Sequence, residues 1–139
     1  MERRRIPEPL RQAVAGRAGR RCEYCQSQER YSVHSFSIDH VLPISRGGAT
    51  VLANLAFACP GCNGHKHNKT TALDPVTLRP VALFNPRAQV WADHFAWNDD
   101  YSLIIGVSAV GRATVEALDL NRATLVNLRQ ALHELRLHP

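Results

Sequence analysis

Four cysteines in two Cys-x2-Cys pairs, Cys22/Cys25 and Cys59/Cys62, are the first residues whose type and spacing specify a chemistry. A Cys-x2-Cys turn sets two thiolates at one corner of a tetrahedron, and two such turns close a zinc site with no open position. A closed four-thiolate site is structural, because neither water nor substrate has a place to bind. The other readings of such cysteines are a redox pair or unrelated core thiols. Spacing in two matched pairs favours zinc, which would staple the N-terminal segment to the region around residue 60. The stretch "CPGCNGHKHNK", residues 59–69, adds two asparagines, two histidines and two lysines to the second pair. Such density raises the prospect of a second ion or a phosphate beside the zinc.

The elements that must position these residues follow from the local pattern. "PEPLRQAVAGRAG", residues 7–19, predicts a helix with proline near its start and glycine at its end. "YSVHSFSIDHVL", residues 31–42, alternates as a strand, with Phe36, Ile38 and Leu42 on one face and Ser35 and Ser37 on the other. "PISRGGAT" is a polar loop, and "NLAFAC" a second short strand. From Pro60 a helix is expected to run to about Asn68, with Lys66 and Lys69 on its surface. Beyond Thr70 three prolines punctuate extended segments. "AQVWADHFAW" reads as a helical turn and "YSLIIGV" as a buried strand. Two amphipathic helices follow, the second opening at Asn121 as N-cap. The expected class is α+β. Residues 1–70 would form a zinc-stapled core with a basic N-terminal helix, and residues 71–139 a mixed strand and helix extension packed on it.

The chain has 139 residues and a net charge of +5. Residues 1–90 carry 13 Lys/Arg against 6 Asp/Glu, whereas residues 91–139 carry 4 against 6. A basic front half points to a polyanionic partner, nucleic acid first. No run reaches the ~18 apolar residues needed to span a bilayer, and "MERRRIPEPL" lacks the apolar stretch of a secretory signal. No membrane partner and a reducing, cytoplasmic location are therefore the expectation, with the cysteines free of disulfides.

Asp39 and His40 close the first predicted strand, Asn54 opens the second, and Asn63 follows Cys62 directly. In this order, "SIDHVLPISRGGATVLANLAFACPGCNGHK" resembles the HNH endonuclease motif, the ββα-metal fold, in its branch with flanking Cys-x2-Cys pairs. "RCEYC" and "LFNPRAQVWADHF" are also similar to stand-alone bacterial HNH proteins. The resemblance is close over residues 22–69 and loose elsewhere. It implies a metal-dependent endonuclease that hydrolyses phosphodiester bonds in DNA, expected double-stranded, by nicking. His40 would be the general base, its ordinary pKa of about 6.5 suiting proton abstraction at neutral pH. Asp39 and Asn63 would hold a catalytic Mg²⁺ or Mn²⁺ ion, hard cations that favour oxygen ligands. Asn54 would hydrogen-bond to the His40 segment and fix its loop.

His67, four residues after Asn63, would share a helix face with it and is a possible third ligand, as in some members of the family. His65 should point away. Arg46, Lys66, Lys69, Arg20 and Arg21, with Arg17 extending the track, are the expected phosphate contacts. Arg3, Arg4 and Arg5 would add nonspecific attraction. Trp91 and Trp97 suit the core better than base stacking. Neighbours in a regular strand point to opposite faces, so Asp39 and His40 share a site only if the strand ends or twists there, and Pro43 with the following Gly-Gly loop favours an ending. The rival functions are a non-catalytic zinc module that binds nucleic acid, and an accessory nuclease subunit of a restriction or phage-packaging system.

Overall fold

A computed structural model describes residues 6–139 of the chain; Arg3, Arg4 and Arg5 lie outside the described residues. Pro7 precedes the first helix, α1 (Glu8–Arg17), which has an acidic residue in its first turn and a basic one in its last, as the helix dipole favours. Val14 and Ala15 form its buried stripe and set it against the second strand.

The first strand, β1 (Ser37–His40), pairs antiparallel with β2 (Leu55–Ala58), with Ser37 opposite Ala58 and His40 opposite Leu55. The long strand expected over residues 31–42 is thus cut to four residues. Two local contacts explain this. Glu29–Tyr31 forms a 3-10 turn whose Glu29 carboxylate accepts the Phe36 amide, and Val33 stands 94% exposed before the ladder begins. At the other end the Asn54 side chain takes both backbone groups of Leu42, which therefore needs no strand partner. All four residues of β2 are buried.

Helix α2 (Pro60–Lys66) follows, with Cys59 as its N-cap. The helix stops at Lys66 rather than near Asn68, because His67 takes a positive φ of 49°. The extension supplies two more antiparallel pairs, β3 (Thr71–Leu73) with β4 (Pro80–Ala82) and β5 (Phe95–Trp97) with β6 (Ile104–Gly106). The helical turn expected before β5 is a 3-10 turn at Trp91–Asp93. β6 is less enclosed than its apolar run suggests: Ile104 is buried, but Ile105 is 44% exposed on a two-stranded ribbon. Helix α3 (Ala109–Ala117) is capped by Ser108, whose hydroxyl accepts the Gly111 amide. Helix α4 (Ala123–Glu134) begins after Arg122. Asn121 is not its cap. It instead clasps both backbone groups of Ile104, tying β6 to the α3–α4 turn.

The result is an α+β fold in which helices surround small antiparallel pairs. Tyr24, Phe36, Leu55, Phe57, Phe84 and Phe95 belong to one buried cluster that spans the first strand pair and the extension. Trp91 stacks on Phe95 and donates to the Tyr24 carbonyl, while Trp97 lies under the Arg129 guanidinium. Both tryptophans serve packing. Among the described residues, no helix is long and apolar enough to cross a membrane.

Candidate functional site

Cys22, Cys25, Cys59 and Cys62 are all buried, and their sulfurs lie within 4.8 Å of one another. Zinc bonded to sulfur at ~2.3 Å in a tetrahedron holds its sulfurs about 3.8 Å apart; Cys25 and Cys59 stand at 3.7 Å. The two turns are built alike. The Cys25 amide points at Cys22 Sγ and the Cys62 amide at Cys59 Sγ, each at 3.4 Å, so each knuckle stabilises its own thiolate. Burial pushes the Cys22 thiol up, and hydrogen bonds from Cys22, Cys25 and Cys62 hold Cys59 below its ordinary range. Four buried sulfurs cannot all ionise beside one another without a cation, and Zn²⁺ meets that need. The donor set fits a structural zinc.

The second set of predicted residues sits at the far end of β1 and α2. β1 ends at His40, and the two neighbouring side chains meet different partners. Asp39 turns inward and is 3% exposed. Its Oδ2 accepts the Tyr24 hydroxyl at 2.6 Å and its Oδ1 accepts Lys66 Nζ at 3.2 Å. Lys66 also donates to the carbonyls of His40 and Val41 at 3.1 and 3.2 Å. The placement of Lys66 on the helix surface is thereby corrected: its ammonium is 2% exposed and fully occupied by three oxygens, because Asp39 and the end of β1 face α2. Burial raises the Asp39 carboxyl above its ordinary value, with Lys66 and Tyr24 opposing the shift. Burial and the Asp39 charge in turn push the Tyr24 phenol well up, so it stays a donor. Asp39 therefore fits a divalent ion only with the Lys66 ammonium moved aside.

His40 is half-buried, and its Nε2 lies 2.9 Å from Thr50 Oγ1. Burial holds the imidazole below its ordinary value; the Asp39 charge opposes this and the Lys66 charge reinforces it. In the tautomer whose Nε2–H donates to the Thr50 hydroxyl, Nδ1 is left to accept a proton. The loop that carries Thr50 is fixed from inside by Asn54. Its Oδ1 accepts the Leu42 amide at 2.9 Å, and its Nδ2 donates to the carbonyls of Leu42 and Ala49 at 3.0 and 2.9 Å. Gly48 is required for this closure, since a Cβ there would stand 1.7 Å from the Leu42 carbonyl oxygen.

Asn63 lies half-buried in α2. His67 closes α2: its amide donates to the Asn63 carbonyl at 2.9 Å, and its own φ is 49°, so the helix goes no further. His65 and His67 are both exposed. Among the described residues, the four cysteines are the one group of three or more His, Cys, Asp or Glu side chains that could hold a metal.

Residues 22–69 match the family model described as HNH endonuclease. This segment is an HNH domain. The match begins at the first zinc cysteine and ends at Lys69, so it includes both the sulfur cluster and the Asp39–His40–Asn54–Asn63 set. No curated protein and no solved structure matches the chain.

Of the basic residues expected at phosphate, Lys69, just after α2, and Arg46, in the loop between β1 and β2, are exposed. Lys69 Nζ rests on the His65 carbonyl and Arg46 Nε on the Asn68 carbonyl. Arg20 is paired with Glu29 at 2.9 Å and also reaches Gln12. Arg21 lies near the Gln26 carbonyl. Arg17 binds the carbonyls of Leu52 and Leu55 and so locks α1 onto the HNH hairpin.

Sequence reasoning missed Tyr24, Thr50 and Arg122. Tyr24 sits inside the "CEYC" turn, where only its aromatic bulk marks it as core. Thr50 had no signal beyond its position after Gly-Gly. Arg122 lies 60 residues from Cys62 in sequence, yet its guanidinium lies against Cys59 and Cys62. Burial lowers its pKa, but the Cys62 and Cys59 charges outweigh that and hold it above the ordinary value.

Proposed function

We propose that the chain is a DNA endonuclease that hydrolyses phosphodiester bonds with His40 as general base, acting on duplex DNA one strand at a time. The observation that carries this reading is the His40–Thr50 hydrogen bond within a loop clamped by Asn54, inside a segment that matches the HNH endonuclease model. Thr50 fixes the ring, and a neutral His40 takes the proton from the attacking water. Arg46 and Lys69 supply positive charge to the backbone phosphates. Asp39 and Asn63 would supply oxygen ligands for Mg²⁺ or Mn²⁺, whose contribution when bound is charge neutralisation at the phosphate. Asp39 does so only on releasing the Lys66 ammonium. Holding one ββα unit and one His40, the chain attacks one strand per engagement.

The test is conversion of supercoiled plasmid to the nicked form with Mg²⁺ or Mn²⁺, against EDTA and a His40→Ala variant shown to retain zinc. Loss of the general base should slow nicking by roughly 10²- to 10⁴-fold. Wild-type protein inert with every metal, or a folded His40→Ala that nicks equally well, would falsify the proposal. The engaged state of Asp39 gives one specific reason to keep a second reading, a non-catalytic zinc module that binds nucleic acid. Retained DNA binding by an inert wild type would select it.

A further inference from the structure

We propose that Arg122 belongs to the zinc site: the extension delivers its guanidinium to the thiolates of Cys59 and Cys62, where it offsets their negative charge and slows loss of the metal. Nη2 stands 3.2 Å from Cys59 Sγ and 3.8 Å from Cys62 Sγ, and Nη1 stands 3.6 Å from Cys62 Sγ. One planar fork thus spans both sulfurs of the second knuckle, a geometry an ammonium cannot copy. The fork is held from behind, since Nη1 also donates to the carbonyls of Leu118 and Asp119 at 3.4 and 3.2 Å.

The knuckle itself is shaped to receive it. Position 61, between the two cysteines, is glycine, and a Cβ there would stand 2.4 Å from Arg122 Nη2 and 2.7 Å from its Cζ. A side chain at this position would fill the space that the guanidinium occupies. Charge gives the reason for the fit. Four thiolates around Zn²⁺ carry a net charge of −2, which is costly where it is buried, and Arg122 halves it.

Access gives a second reason. An open cavity of about 570 Å³, lined in part by Val33, Phe36, Cys59, Gly61, Arg122 and Leu125, leads from solvent to this side of the cluster. The guanidinium stands where an incoming chelator would reach Cys59. The inference concerns zinc retention alone and does not depend on the nuclease reading.

The test uses the full zinc-loaded chain and two readouts, zinc transfer to a chromogenic chelator and the thiolate-to-metal charge-transfer band of the Co²⁺-substituted protein. Hydrogen bonds to thiolate sulfur lower the energy of its donor electrons, so removing them should move the band to lower energy. Arg122→Gln should show that shift and release zinc roughly ten- to a hundredfold faster, the usual effect of removing a group that supports metal ligands. Arg122→Lys should fall between it and the wild type. Gly61→Ala, which leaves every charge in place but displaces the fork, should resemble Arg122→Gln. An unchanged band in folded Arg122→Gln overturns the proposal whatever the release rate, because faster release alone reports only a weakened fold. A release rate equal to wild type overturns it as well. If Arg122→Gln does not fold, Gly61→Ala and Arg122→Lys decide on the same two criteria.

Discussion

Replacing Lys66 by methionine isolates one buried charge and leaves the shape of the side chain nearly unchanged. In the wild type the ammonium satisfies Asp39 Oδ1 and the carbonyls of His40 and Val41, with both members of the ion pair no more than 3% exposed. The variant leaves Asp39 with only the Tyr24 hydroxyl. Removing one partner of a buried ion pair costs about 3–5 kcal/mol, because the remaining charge is uncompensated. The two carbonyls would add to this, so the lower figure is a conservative expectation. Against a total of roughly 5–15 kcal/mol for a domain of this kind, a loss of about 3 kcal/mol is large. Urea unfolding of the zinc-loaded protein should show it as a lower midpoint at unchanged slope. Asp39→Asn in the same background should recover part of the loss, since an amide needs no counter-charge, and the double-mutant cycle should give a coupling of about 1–3 kcal/mol. A Lys66→Met protein within about 1 kcal/mol of wild type, or an additive cycle, refutes the argument. Lys66 would then be dispensable to Asp39, and a divalent ion would have free access to the carboxylate.

Thr50→Val removes the hydroxyl that holds His40 Nε2 and should slow plasmid nicking about tenfold, the value of one hydrogen bond of ~1.4 kcal/mol, while Thr50→Ser should restore it; equal rates in the valine variant would remove Thr50 from the site. Asp74 is held well below the usual carboxylate range, chiefly by Arg112, whose Nε and Nη2 both donate to it at 2.9 Å. Because the folded-state value lies below that of the unfolded chain, the stability it contributes is complete above about pH 4 and is lost as pH falls toward the folded value. The urea-midpoint difference between wild type and Asp74→Asn should therefore shrink from pH 5 to pH 3, and a constant difference would show that the pair is not the cause.

The parts of the fold legible in the sequence are those where chemistry fixes both residue type and spacing. Cys22, Cys25, Cys59 and Cys62 had to be found together because a tetrahedral ion tolerates few spacings. Asn54 was expected at the His40 loop only through the family resemblance, and Gly48 was no more than part of a polar loop until the fold set it against the Leu42 carbonyl. Failures came where one contact from a distant element decides the outcome. Helical periodicity put Lys66 on a solvated face because nothing in α2 announces the buried carboxylate of Asp39, 27 residues earlier. The same periodicity carried the helix through His67, although the chain turns left-handed there. Asn121 has a residue type suited to an N-cap, but the backbone of Ile104 competes for it. Arg122 was one more surface-like cation on a helix boundary until the fold laid it against two sulfurs.

Helix α2 joins these observations into one mechanical argument. Its first turn is the second zinc knuckle and its last residue is Lys66. At ~1.5 Å of rise per residue, Cys62 and Lys66 lie about 6 Å apart along a helix too short to bend between them. A zinc held by the four cysteines would therefore set the height at which the ammonium meets Asp39 and the His40 carbonyl at the end of β1. Arg122 acts one step earlier, because it fixes the sulfurs on which that knuckle is built. Residues 71–139 thus meet α2 at its zinc end through Arg122, and residues 82–89 lie beside Val41, Leu42 and Lys66 at the other end. Pinning one end of α2 gives a zinc site a role beyond the small core, because Lys66 at the other end meets Asp39 and the His40 carbonyl at hydrogen-bond distance.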